Sequence, residues 1–378
     1  MKKHILFFIE SLSGGGAEKV LVTLLKYLDY SKYEVTLMPL VDTGILREDI
    51  DKSKIHYVPV ISEAKNTRQR IWSKIKYKLI YHYLPSKLAN RWIIPQKGVD
   101  VYIAFTEGFA TKLLSYTPNK KIAWVHADLK TDPWTLKSEI FKSLEEEKEA
   151  YNRYDNVVCV SKCVEQVMKE HYGLSQTATI YNPIDTENIL LKASQPINID
   201  LPSAFNIVSV GRLVPQKGYD RLIPIIGKLR REGKNIQLFL IGEGVERKNL
   251  EIIIEKEGLQ DVVHLMGFQK NPYALMSKMD LFVCSSKAEG YSLVIAEAMI
   301  LGLPVVSTNC AGPNELLDHG KYGLLVDNNH TSIHLAICNI INDTALQEKL
   351  REKSLERSKS FGCANAIYAL EFLINENS

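Results

Sequence analysis

Two cations five residues apart, Arg212 and Lys217, flank a proline turn in Val210-Gly211-Arg212-Leu213-Val214-Pro215-Gln216-Lys217-Gly218. Arginine offers a planar fork to phosphate oxygens and lysine a point charge. Together they suit a diphosphate and can neutralise charge that grows on a leaving group. Further along, Glu289 and Glu297 bracket Gly290-Tyr291-Ser292-Leu293-Val294-Ile295-Ala296. Eight positions on a continuous helix turn through about 800°, which leaves the two carboxylates roughly 80° apart and more than two turns apart along the axis. They cannot act as one close pair. The spacing instead predicts Glu289 in a loop before Gly290, able to reach a sugar, and Glu297 inside the following helix, able to reach ribose hydroxyls. The N–H groups of Tyr291, Ser292 and Leu293 would then face phosphate between them. Near the start, Ser11-Leu12-Ser13-Gly14-Gly15-Gly16-Ala17-Glu18 follows an apolar strand. Gly15 and Gly16 leave room for a diphosphate or sugar against the backbone. The glycines do not fall as G-x-G-x-x-G, and no ribose-binding acid follows the second strand, so a nicotinamide oxidoreductase is disfavoured.

Strands must deliver these turns. Short apolar runs alternate with amphipathic helical stretches throughout the 378 residues, the pattern of repeated βαβ units around parallel sheets. Strands are expected near 4–9, 34–40, 55–60, 99–105, 120–125 and 156–160, then near 205–210, 236–241, 261–265, 280–284 and 304–307. The polar, proline-containing stretch from Ala193 to Ser203 breaks the pattern, which restarts at Phe205. The fold class is therefore α/β with two doubly wound domains, and length alone suits two cores. The expected bounds are a first domain over 1–190, a linker over 191–204, a second domain over 205–360, and a C-terminal helix over 361–378 crossing back to the first.

Apolar residues make up 46% and charged residues 24%, which places the chain among globular proteins. A net charge of +3 argues against a dedicated nucleic-acid binder. The first apolar run ends at Glu10, too short for a signal peptide, and no run is long enough to span a bilayer. A cytoplasmic location follows, with membrane contact only peripheral, on the inner face of the cytoplasmic membrane. Residues 65–94 provide a place for such contact: Lys65, Arg68, Arg70, Lys74, Lys76, Lys78, Lys87 and Arg91 interleave with Trp72, Tyr77, Tyr81, Tyr83 and Trp92. A helix carrying them suits an anionic bilayer surface. The six cysteines are scattered and read as reduced. Asp49-Ile50-Asp51 lies in a charged stretch and reads as a solvated turn, so no metal and no cofactor is expected.

Taken together and in order, the Gly-Gly-Ala-Glu loop, the strand-G-R-x4-K-G turn, Glu-x7-Glu and Gly302-Leu303-Pro304-Val305-Val306-Ser307 resemble the family-4 retaining glycosyltransferases over nearly the whole chain. The resemblance implies the GT-B arrangement of two Rossmann-like domains facing a cleft. It implies Arg212 and Lys217 on the diphosphate of a nucleotide sugar, Glu289 on the donor sugar and Glu297 on the ribose. His126, in Trp124-Val125-His126-Ala127-Asp128, is implied to hydrogen-bond the donor sugar near the reacting centre. Phe105-Thr106-Glu107-Gly108 and Tyr181-Asn182-Pro183-Ile184-Asp185 are further matches, the latter with Pro183 where the family has glycine. Glu315 reads as a structural residue at a helix N-terminus. The implied reaction moves a sugar, with retention, from a nucleotide-diphosphate sugar (a UDP-sugar by preference) to an acceptor, a saccharide or lipid-linked saccharide of cell-surface polysaccharide synthesis. A sugar-nucleotide 2-epimerase of similar fold and a non-catalytic subunit that binds nucleotide sugar or lipid are the rivals.

Overall fold

The computed structural model describes residues 2–376; Met1, Asn377 and Ser378, the outer ends of the expected first domain and terminal helix, lie outside them. The chain forms two compact units, Met1–Pro183 with Cys363–Ser378, and Ile184–Gly362.

In the first unit seven strands form one parallel sheet: β1 (Lys3–Ile9), β2 (Tyr33–Pro39), β3 (His56–Tyr57), β4 (Val101–Ala104), β5 (Lys120–Val125), β6 (Asn156–Cys159) and β7 (Thr177–Thr179), in the order β3-β2-β1-β4-β5-β6-β7. Ile5, Leu6, Phe7 and Phe8 of β1 and Ile122, Ala123, Trp124 and Val125 of β5 are fully buried. That unbroken burial reflects a parallel sheet covered on both faces. The strand order reverses direction between β1 and β4, so a crevice opens at their carboxyl ends. Three pieces of helix connect β3 to β4: Thr67–Lys78, a π-helical turn Leu79–Tyr83, and Ser86–Ile93. The expected continuous helix over 65–94 is thus interrupted. Pro85 has no N–H to continue the ladder and stands just before the third piece. The C-terminal helix, Ala364–Asn375, belongs to this unit: Lys3 Nζ donates to Ile374 O (3.1 Å), Asn375 Nδ2 to Tyr33 Oη (2.8 Å), and Glu371 pairs with Lys32 at 3.2 Å.

In the second unit β8 (Phe205–Val210), β9 (Ile236–Ile241), β10 (Val263–Gly267), β11 (Leu281–Cys284), β12 (Val305–Thr308) and β13 (Leu324–Val326) form a parallel sheet ordered β10-β9-β8-β11-β12-β13. Ile207, Leu238, Leu240, Leu281 and Val306 pack with Leu222, Ile226 and Ile337 from the flanking helices into its core. Here the direction of winding reverses between β8 and β11. The chain enters this unit at Ile184, earlier than the expected linker. Helix Thr186–Ala193, capped by Asp185, is held by Asn271 Nδ2 donating to Lys192 O (2.8 Å) and Ser277 Oγ to Ala193 O (3.3 Å). The polar stretch after it is a loop within the second unit.

Candidate active site

The loops that leave β8 and β11 meet at the switch point of the second unit. After β8 the chain runs through Gly211 and Arg212 to a 3₁₀ turn, Pro215–Lys217, and turns again at Gly218 (φ +68°) into helix Tyr219–Arg231. A side chain at Gly218 would place its Cβ 2.2 Å from Ser285 O. Only glycine lets the two loops come this close. They are then stitched together. Ser285 Oγ donates to Lys217 O (2.8 Å), Gln216 Nε2 to Ala288 O (2.9 Å), and Lys287 N to Gln216 O (2.7 Å).

Lys217 Nζ lies 2.5 Å from Glu289 Oε1, which also accepts from Ser286 Oγ at 2.6 Å. Burial opposes the charge on Lys217, but the Glu289 carboxylate, with smaller help from Cys284 and Tyr219, holds the ammonium above the ordinary lysine value. Glu289 Oε2 makes no hydrogen bond among the described residues, so this buried carboxylate keeps one oxygen for a hydroxyl donor. Arg212 is exposed, and among the described residues its side chain makes no ion pair. One cation is therefore locked to a carboxylate while the other is open to an incoming anion.

Glu289 lies in the loop and Glu297 inside helix Leu293–Ile300, as the spacing predicts. Gly290 and Tyr291 pass against the next loop: Gly312 N donates to Glu289 O (3.1 Å), and a Cβ on Gly312 would fall 2.6 Å from the backbone of Gly290 and Tyr291. Ser292 caps the helix with φ +70°, a left-handed conformation that costs a non-glycine residue of order 1–3 kcal/mol. Among the described residues its buried Oγ has no hydrogen-bond partner. The strain leaves the first N–H groups of the helix, from Leu293 onward, uncapped by a side chain. Glu297 is 2% exposed and accepts from Tyr273 Oη at 3.2 Å. Glu315 stands in the last turn of helix Ala311–Leu316, not at its N-terminus.

Gly15, Gly16 and His126 belong to the first unit. Gly15 precedes helix Gly16–Tyr27 without a side-chain cap. His126 follows β5; its backbone N–H donates to Glu107 Oε2 (2.9 Å), and its Nε2 lies 2.9 Å from Phe105 O. A carbonyl only accepts, so Nε2 carries the proton and Nδ1 keeps a lone pair. Burial pulls the imidazole down to about 4, against the opposing bond to Phe105, so it is neutral at pH 7. Glu107 is committed on both oxygens, because Trp134 Nε1 also donates to it (3.3 Å). Asp51 is tied to Ser53 and Lys54, consistent with a solvated turn. Among the described residues no group of three His, Cys, Asp or Glu is placed to hold a metal ion, and no helix is long and apolar enough to cross a membrane.

Both halves of this arrangement are matched by known families. Residues 14–188 match the model of Glycosyltransferase Family 4, and residues 199–357 that of Glycosyl transferases group 1. The chain belongs to the family 4 glycosyltransferases. A Campylobacter jejuni relative, N-acetylgalactosamine-N,N'-diacetylbacillosaminyl-diphospho-undecaprenol 4-alpha-N-acetylgalactosaminyltransferase, is 29% identical over 97% of this chain and 98% of its own. Lipopolysaccharide core biosynthesis glycosyltransferase LpsD of Rhizobium meliloti is 34% identical over 39% of this chain and 42% of its own. Anabaena HepE, solved with UDP and glucose, shares the fold with a TM-score of 0.75 at 20% identity, covering 99% of each chain.

In this glycosyltransferase the sequence motifs omit the side chain that ties the loops down. Arg221, 7% exposed, donates through Nε to Ser285 O (3.0 Å), through Nη2 to Ser286 O (3.1 Å), and through Nη1 to Asn328 O (3.3 Å). Thr308 Oγ1 adds a bond to Ser286 O (2.6 Å). The available signal was an arginine among the apolar positions of Tyr219-Asp220-Arg221-Leu222-Ile223, where a cation is buried only if it has partners.

Proposed function

We propose that this glycosyltransferase takes a sugar from a UDP-sugar and passes it, with retention at the sugar carbon, to a lipid-linked saccharide of cell-surface polysaccharide synthesis. The observation that carries the reading is the switch point of the second unit: an open Arg212, a Lys217 locked to Glu289, and uncapped N–H groups at Leu293. This set suits a diphosphate with a sugar beside it. As the bond to the sugar breaks, Arg212 and Lys217 meet growing phosphate charge, and Glu289 Oε2 accepts from a sugar hydroxyl. The leaving phosphate takes the acceptor proton on the same face. Arg212 and Lys217 supply the positive potential, so the reaction needs no metal.

The lipid-linked acceptor rests on two supports. The Campylobacter relative, similar over nearly its whole length, is named for an undecaprenol-linked substrate. Helix Thr67–Lys78 buries none of its residues, and Trp72 (70% exposed), Tyr83 (74%) and Trp92 (57%) stand in solvent among Arg68, Arg70, Lys74, Lys87 and Arg91. Exposed aromatics interleaved in sequence with exposed cations suit the interface of an anionic bilayer.

A donor screen tests the reading: purified protein, UDP- and other nucleotide sugars, and bacterial lipid extract, with and without EDTA. The expected result is a glycosylated lipid formed with a UDP-sugar, equally in EDTA, with the anomeric configuration of the donor. Loss of turnover on chelation restored by Mg²⁺, an inverted product, or epimerised donor without transfer would each remove the corresponding part.

A further inference from the structure

At the switch point of the first unit one carboxylate is left over by the chemistry above. Glu10 immediately follows β1, beside β4, at the carboxyl end where open α/β sheets receive ligands. Phe109 N donates to its Oε1 at 3.2 Å, which fixes the group, and no side chain among the described residues donates to either oxygen. The groups that act on it most strongly are acidic or neutral: Glu107 after β4, Glu18 in the first turn of helix Gly16–Tyr27, Tyr77 and Tyr81 from the segment after β3, and the N–H groups of Phe109 and Ala110. Glu107 already accepts from His126 N and Trp134 Nε1, one on each oxygen, whereas Glu10 accepts on Oε1 alone and has more capacity left. The same end holds a second acceptor in His126 Nδ1, and Thr106 Oγ1, buried without a partner among the described residues, is a further polar group. Tyr81 walls the site, stacked between Tyr77 (5.0 Å) and Phe109 (4.6 Å).

Acceptors without cations match a ligand that brings hydroxyl donors and no negative charge. The geometry points to Glu10 as the residue that accepts a hydrogen bond from a hydroxyl of the neutral sugar being glycosylated, and so sets the acceptor's chemical class against acidic sugars. The inference rests on the proposed transfer to a saccharide acceptor, and it adds that the first unit receives that acceptor. Burial, with Glu107 and Glu18 adding to it against the Phe109 N–H, raises Glu10 to about 7. Its strength as an acceptor therefore grows as pH rises through neutrality.

The test is the pH profile of acceptor kcat/KM, with saturating donor, for wild type, Glu10→Gln and Glu10→Asp, with UDP affinity by calorimetry as the check on the donor half. Glutamine keeps the oxygen that accepts from Phe109 and lacks the charge. We expect wild-type kcat/KM to rise across pH 6–8 on one ionisation. Glu10→Gln should lose at least tenfold at pH 8, the cost of a hydrogen bond to a charged group, and lose that limb, with UDP affinity unchanged. Glu10→Asp should keep the limb. A Glu10→Gln enzyme with wild-type acceptor kcat/KM, or one that retains the limb, would overturn the inference while leaving the glycosyltransferase reading intact. A wild-type enzyme that hydrolyses donor but transfers to no sugar would overturn both.

Discussion

Lys217 and Glu289 are bound to each other at 2.5 Å with little solvent access, so neither can be removed without consequence for the other. Lys217→Ala leaves a buried carboxylate with only Ser286 as donor, a change expected to cost on the order of 3 kcal/mol and to lower the melting temperature of the protein. Lys217→Ala with Glu289→Gln should recover part of that loss, and a double-mutant cycle read by thermal melts checks it. His126 makes a different prediction. Its folded value is depressed to about 4 from 6.5, so its contribution to stability is whole above 6.5 and is lost as pH falls toward 4. Nitrogen-15 NMR at pH 5.5 should find the ring neutral with the proton on Nε2; an imidazolium at that pH contradicts the burial argument. Glu10 runs the other way. Its value is raised, so its contribution is whole below 4.5 and is lost as pH rises through about 7. Glu10→Gln should therefore raise the melting temperature more at pH 8 than at pH 5.

Among the elements, the loops after β8, β11 and β12 depend on glycines whose missing side chains let backbones touch. Gly218→Ala and Gly312→Ala would each drive a Cβ into a neighbouring backbone, 2.2 Å from Ser285 O in the first and 2.6 Å from Gly290 and Tyr291 in the second. Both variants should weaken UDP binding by at least tenfold in calorimetry while the protein stays folded; unchanged affinity would place the nucleotide elsewhere. The segment 67–93 predicts co-sedimentation with anionic liposomes at low salt, reduced by Trp72→Ala with Trp92→Ala and by high salt. Equal sedimentation with neutral liposomes contradicts the charge argument. Elements of this kind were legible where an apolar run was long, as in β1, β5, β8 and β9. β7, Thr177–Thr179, was not: three polar-edged residues carry no periodicity and pair only because β6 offers an edge. The π turn at Leu79–Tyr83 was equally hidden, since no residue type signals it.

For the whole molecule, the doubly wound pattern could be read from alternation, and the order of the motifs carried the family. The crossing between units could not. The stretch Ala193–Ser203 has the composition of a linker, but Asp185 caps helix Thr186–Ala193 and Asn271 fastens it to the second unit, tertiary bonds that leave no local trace. Arg212 and Lys217 stand out in the sequence because a phosphate ligand would call for cations at strand ends. Arg221 and Glu10 were not, because each gains meaning only from what surrounds it in space. The central claim is that Arg212 and Lys217 stabilise the charge of a departing nucleotide. Steady-state turnover of Arg212→Ala tests it most directly, because this exposed side chain has no ion pair to lose and the fold should be unaffected. Turnover should fall by at least about 100-fold, the loss typical of a preorganised charge-stabilising group, with an unchanged melting temperature. Wild-type turnover in well-folded Arg212→Ala would contradict the account.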